Sequence, residues 1–211
     1  MPETLIKSPV AKIIPHTLEK HGHVRTDNYY WLNERENPEV IDYLNQENDY
    51  YNQSTAHTKD FQKDLFEEMK ARIKEDDESV PYFYNSYFYI TRFEKGKDYP
   101  IHSRKKGSLD AKEEILFDCN EMAKDHTYFN LAGLSISEDN TMCAFGVDTV
   151  SRRQYTIQVK NLVSGEILPV KIENTTGGAT WASDDKTLFY SRKDEVTLRA
   201  ARINNQVLFR F

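Results

Sequence analysis

GLSISEDNTMCAF, residues 133–145, returns 45 residues later (178 − 133) as GATWASDDKTLFY, residues 178–190. Each copy runs apolar segment, Ser/Asp turn, apolar segment. The turn chemistry is the same in both. Asp139-Asn140 and Asp184-Asp185 can hydrogen-bond their own backbone and tolerate a left-handed conformation. Each copy therefore predicts a β-hairpin, and a repeat of about 40–45 residues is the spacing of four-stranded propeller blades. Segments 154–160 and 166–170 read as the strands that complete the blade begun at Gly133. The blade begun at Gly178 is expected to be incomplete, and Ala200–Phe211 reads as a foreign or truncated end.

Upstream of the repeat the alternation also has period two. Segments 81–84, 87–93, 99–104 and 114–117 are strand candidates, separated by Asn85-Ser86, by 94–97 and by 106–108 as turns. Four strands in such a meander make one blade. Residues 118–129 read as a loop or short helix leading to the repeat.

Before residue 75 the period is helical. Between Pro38 and Pro81 there is no other proline, and between Gly22 and Gly96 no other glycine, so helices belong there. One is predicted over 38–53, with Asn37 as N-cap, Pro38 at the first position and Glu39 in the first turn. A second is predicted over 59–74 with Thr58 as cap, Phe61, Leu65, Phe66, Met69 and Ile73 as its apolar stripe, and Lys70, Arg72 and Lys74 at its end. The link at 52–57 reads as a kink or a break. Residues 1–20, with Pro2, Pro9 and Pro15, read as an extended arm. The acidic run Glu75–Glu78 reads as a solvated linker. The expected fold is thus α+β: an N-terminal arm and helices over 1–75, then a partial β-propeller over 76–211 with blades 1–2 and the start of blade 3.

A formal net charge of −6 over 211 residues argues against a nucleic-acid or anionic-membrane partner. The 12% aromatic content argues for a packed core containing strands. Two cysteines, Cys119 and Cys143, make neither a disulfide framework nor a zinc site, so a reducing cytoplasm is expected. The first 16 residues lack the apolar run of a secretory signal, and no later window approaches a span of about 20 apolar residues.

Acyl-transfer chemistry of the α/β-hydrolase kind needs a nucleophile elbow, G-x-S-x-G. None of the eight glycines flanks a serine at that spacing. The histidines are His16, His21, His23, His57, His102 and His126. His21-Gly22-His23 has no second ligand pair and no H-E-x-x-H companion, so it reads as loop histidines bonded to backbone rather than a metal site. Arg25 and Asp27 are expected to pair and fix the arm. Gly177-Gly178 lacks the Lys-Ser/Thr of a phosphate loop. Arg152-Arg153 reads as a hairpin tip, and Arg104-Lys105-Lys106 is too short for a nucleic-acid patch. No catalytic, cofactor-binding or metal-ligating residue is assigned.

Pro15-His16, His21-Gly22-His23-Val24-Arg25, Asp27, Tyr29, Trp31-Leu32, Asn37-Pro38-Glu39-Val40, Tyr43-Leu44 and Glu47-Asn48, in that order, resemble the N-terminal segment of the prolyl oligopeptidase family of serine peptidases, most closely its oligopeptidase B branch. The resemblance runs from about residue 9 to about residue 199. It implies a fragment whose arm and helices pad a hydrolase domain, with Trp31 buried against that domain. It places the catalytic serine, aspartate and histidine in that domain, outside this chain. It implies cleavage of short peptides after Lys or Arg, with no cofactor, and with short basic peptides and the hydrolase domain as partners. The competing expectation is a non-catalytic propeller module, complete as it stands. Against it, about two and a half blades cannot close a ring that takes roughly four to eight.

Overall fold

Asn37 starts the helical part as its sequence requires. Its side-chain oxygen accepts from the Glu39 amide at 2.9 Å, and Pro38 opens α1 (Pro38–Ser54). In the computed structural model, which describes all residues except 1–5, 195, 196, 198 and 208–211, the chain divides into two compact units between Ile73 and Lys74.

The first unit begins with a hairpin, β1 (His16–Lys20) against β2 (His23–Asp27). His21 and Gly22 both have positive φ, +56° and +79°, the geometry of a tight two-residue turn. The arm expected to stay extended through residue 20 therefore folds back on itself. Asp27 accepts from the Tyr29 amide at 2.9 Å, and no ion pair joins it to Arg25 among the described residues. The expected lock is an Asx turn instead.

Trp31 sits on a short 3-10 turn. Its indole N–H donates to the Lys12 carbonyl at 3.0 Å and its ring tilts against Tyr43 at 6.2 Å. Among the described residues, Trp31 and Val40 are the buried apolar side chains of this unit. Trp31 thus packs on its own α1, where burial against an outside domain was expected.

A 3-10 turn, Ala56–Thr58, separates α1 from α2 (Lys59–Ala71). Thr58 makes no side-chain cap. Its hydroxyl donates to the Thr55 carbonyl at 2.7 Å instead. Helix α2 buries none of its side chains.

The second unit opens with a four-stranded antiparallel meander: β3 (Tyr82–Tyr84), β4 (Tyr87–Arg92), β5 (Ile101–Lys106) and β6 (Glu113–Asp118). Asn85 and Ser86 both take positive φ at the first turn. The acidic run is only partly a linker. The Ser79 amide bonds to Thr91 O at 2.8 Å and the Phe93 amide to Asp77 O at 2.7 Å, so its second half lies along the sheet. Asp118 caps the short helix α3 (Cys119–Ala123).

Six strands follow: β7 (Asn130–Ile136), β8 (Met142–Asp148), β9 (Tyr155–Asn161), β10 (Ile172–Trp181), β11 (Thr187–Lys193) and β12 (Ala200–Val207), antiparallel and hydrogen-bonded in sequence order. The sheet is continuous because β10 serves two ladders. Ile172 and Thr175 pair with β9, and Ala179–Trp181 pair with β11. The expected strand at 166–170 makes only an isolated bridge, Lys160 to Ile167. The outer strand of the second blade is the first half of β10.

The C-terminal segment is not foreign to the fold. β12 pairs with β11 from Thr187–Val207 to Lys193–Ala200, which extends the third blade to three strands. Leu208 and Phe209, expected at its open edge, lie outside the described residues.

The main core joins blades 1 and 2. Phe117 and Phe145 meet at 4.6 Å, surrounded by Tyr87, Leu116, Phe129 and Cys143. Close backbone approach explains the glycines: a Cβ on Gly146 would fall 2.4 Å from the Gly177 carbonyl oxygen. Gly133, Gly146 and Gly177 are thus a packing device.

Candidate functional site

The nucleophiles of this chain are kept quiet. Burial pushes the Cys119 thiol up to about 11 and the Cys143 thiol up to about 12, so neither supplies thiolate near neutrality. The histidines are dispersed. His16 stacks on Tyr30 at 4.1 Å, His126 lies over Phe129 at 6.2 Å, and His21, His23 and His57 sit on the first hairpin and the α1–α2 link. His102 is the half-buried one, with Nδ1 3.1 Å from the Thr91 hydroxyl. Burial holds its imidazole below the ordinary value. Among the described residues no three metal-ligating side chains cluster, and no helix is long and apolar enough to cross a membrane.

What the chain builds with polar groups is the seam between blades. Arg104, 4% exposed, donates from Nε to Glu114 at 2.8 Å and from Nη1 to the Asn140 carbonyl at 3.1 Å. Its guanidinium lies 4.1 Å over the Tyr87 ring. The strand period turns Arg104 inward, which separates it from the basic run Arg104–Lys106 to which the sequence assigns it. Lys160 donates to the Leu116 carbonyl at 2.6 Å and sits 5.0 Å from the Phe117 centroid. Burial lowers its pKa.

The turns join as well. Asn85 Nδ2 donates to the Glu138 carbonyl at 2.6 Å, and Asn140 Nδ2 donates to the Asn85 carbonyl at 3.3 Å. The Glu138 amide donates to Asp185 Oδ1 at 2.7 Å. Asn85, Asn140 and Asp185 all have positive φ. Sequence reading finds the turn residues but not these bonds. The signal was available, since Asn140 and Asp185 occupy the same place in the 45-residue repeat.

The other candidate surface is α2. Phe61 and Phe66 are 67% and 62% exposed, and Leu65, Met69 and Ile73 are exposed beside them. Such a stripe is built to be covered.

Residues 9–211 match the family described as prolyl oligopeptidase, N-terminal beta-propeller domain. The chain is 41% identical to dipeptidyl aminopeptidase BI of Pseudoxanthomonas mexicana over 92% of its own length. It is 35% identical to protease 2 of Moraxella lacunata over 90%. It spans 29% of the length of each of these relatives. Among solved structures it is similar to oligopeptidase B from Leishmania major, with a TM-score of 0.86 at 30% identity, covering 97% of this chain and 31% of that one. The family match reaches Phe211, past Arg199, where the sequence resemblance was expected to end.

Proposed function

Since this chain belongs to the prolyl oligopeptidase family, as its N-terminal β-propeller part, we propose that the full-length protein is a cytoplasmic serine endopeptidase that cleaves short peptides on the carboxyl side of Lys or Arg. In this reading residues 1–75 cover a hydrolase domain, and the exposed stripe of α2 is part of that covering surface. The blades of 76–211 contribute to a ring that screens the active site from folded proteins. The reaction is acyl transfer to a serine activated by histidine, with an oxyanion hole, all supplied by the hydrolase domain. The observation that carries the proposal is the family match over 9–211 together with the 0.86 TM-score to an oligopeptidase B.

A second reading concerns specificity. The 41% identical relative is named a dipeptidyl aminopeptidase, which favours release of dipeptides from free N-termini. The test compares the 211-residue chain with the same chain joined to its hydrolase region. Both are assayed on a blocked arginyl peptide amide and on a free-amino dipeptidyl amide. The joined protein should cleave the blocked substrate after Arg, and the 211-residue chain should cleave neither. Activity on the free-amino substrate alone selects the second reading. Serine-inhibitor-sensitive turnover by the 211-residue chain overturns both.

A further inference from the structure

Two of the three left-handed turn residues reach back to the preceding blade, while Asn85 on blade 1 reaches forward, its Nδ2 donating to the Glu138 carbonyl at 2.6 Å. Asn140, on the first turn of blade 2, reaches back to the Asn85 carbonyl of blade 1 at 3.3 Å. Asp185, on the first turn of blade 3, reaches back to the Glu138 amide of blade 2 at 2.7 Å. In these two bonds the side chain belongs to the later blade and the backbone group to the earlier one. A left-handed Asp or Asn is ordinary turn chemistry, and it needs no neighbour. Here Asp184 already performs the local work, accepting from Lys186 N, Thr187 N and Thr187 Oγ1. Asp139 does the same for Thr141. The next residue is thereby freed to face the preceding blade.

We infer that the left-handed residue of the first turn in blades 2 and 3 is the element by which a blade grips the blade before it, and that the third turn is the docking point for the same element of a following blade. The repeat identifies the receiving group. Glu138 corresponds to Ser183 (138 + 45). The Glu138 amide is held by Asp185, whereas Ser183 is exposed and its amide has no partner among the described residues. The occupant it fits is a side-chain carboxylate or amide oxygen on the left-handed turn residue of a fourth repeat. The Trp181 indole, which donates to the Ser135 carbonyl at 2.8 Å, supports the same direction of grip one turn of strand away.

Hydrogen exchange on the 211-residue chain tests this. Asp185→Gly keeps the left-handed backbone and removes the acceptor, while Asp185→Asn keeps both. The Glu138 amide should be protected in the wild type and in D185N. It should exchange about tenfold faster in D185G, as expected for loss of a bond to a charged acceptor. The amides of the β8–β9 ladder should not change, which reports that the blades stay folded. The Ser183 amide should exchange freely in all three, and become protected when the chain is carried into a fourth repeat. Equal protection of Glu138 in D185G and D185N, or wild-type protection at Glu138 no greater than at Ser183, overturns the inference.

Discussion

Helix α2 and strand β8 carry aromatic residues to opposite ends. In β8, Phe145 is fully buried and faces Phe117. In α2, Phe61 and Phe66 face solvent. The difference is one of closure. Successive meanders in the same chain supply each other's neighbours, so the inner face of one blade packs on the next. A helical stripe needs a surface from elsewhere in the protein, and most helical stability comes from such packing. The blades therefore hold a core of their own, while the helical unit rests on little more than Trp31 and Val40.

Phe145→Ala should give the largest effect. It should destabilise the blade unit by roughly 3–5 kcal/mol, read as a drop in the denaturant midpoint. A loss below about 1 kcal/mol would mean that the core is as loosely held as the helices. Trp31→Ala comes next, at about 3 kcal/mol, read as faster protease cutting within 38–54. An unchanged cutting rate would make the helical unit independent of its one large anchor. Gly146→Ala should cost about 1–3 kcal/mol, because its Cβ meets the Gly177 carbonyl.

A smaller effect concerns pH. Burial holds the His102 imidazole low, so the folded state binds fewer protons than the unfolded one around the ordinary histidine pKa of about 6.5. Its contribution is fully present above that value and declines as pH falls below it. The melting temperature of the wild type should fall between about pH 6.5 and 5, and His102→Asn should flatten that slope. The same slope in both proteins would assign it to other groups. The smallest effect is expected from Phe66→Ser, within about 0.5 kcal/mol, with reduced binding of a hydrophobic dye. A cost comparable to that of Phe145→Ala would erase the contrast between the two regions.

The legible parts of the fold were those specified by local chemistry. Asn37-Pro38-Glu39 marked the start of α1. The repeated Asp139-Asn140 and Asp184-Asp185 marked two hairpins, and Asn140 and Asp185 both take the left-handed conformation the turn requires. The misread parts depended on distant partners. Segment 166–170 looked like a full strand because it is apolar, but it makes only a short stretch of bonds to β9, from Asn161 N to Glu166 O and from Leu168 N to Val159 O, before the regular pairing resumes at Ile172. Gly177-Gly178 was read only as lacking a phosphate-loop companion, because its reason, the closeness of Gly133 and Gly146, lies more than thirty residues away in the chain. The polar run Asn204-Asn205-Gln206 lacks a strand pattern and becomes one by pairing its backbone with the edge of β11. The seam residues Arg104 and Lys160 were hidden for the same reason: their acceptors, Asn140 O and Leu116 O, sit on other blades.

Strand β10 has a consequence for how such a gene can drift in length. Its ten residues serve two neighbours, the first half β9 and the second half β11, with Thr175 paired to both, and Gly177 sits between the halves at φ +95°. One codon added or lost there would turn the side chains of one half to the wrong face of the sheet, and no adjustment in the other half could restore both. The exposed loop at 107–112, between β5 and β6, serves no second ladder. Length variants of this chain should accumulate in that loop and be purged from Ile172–Trp181.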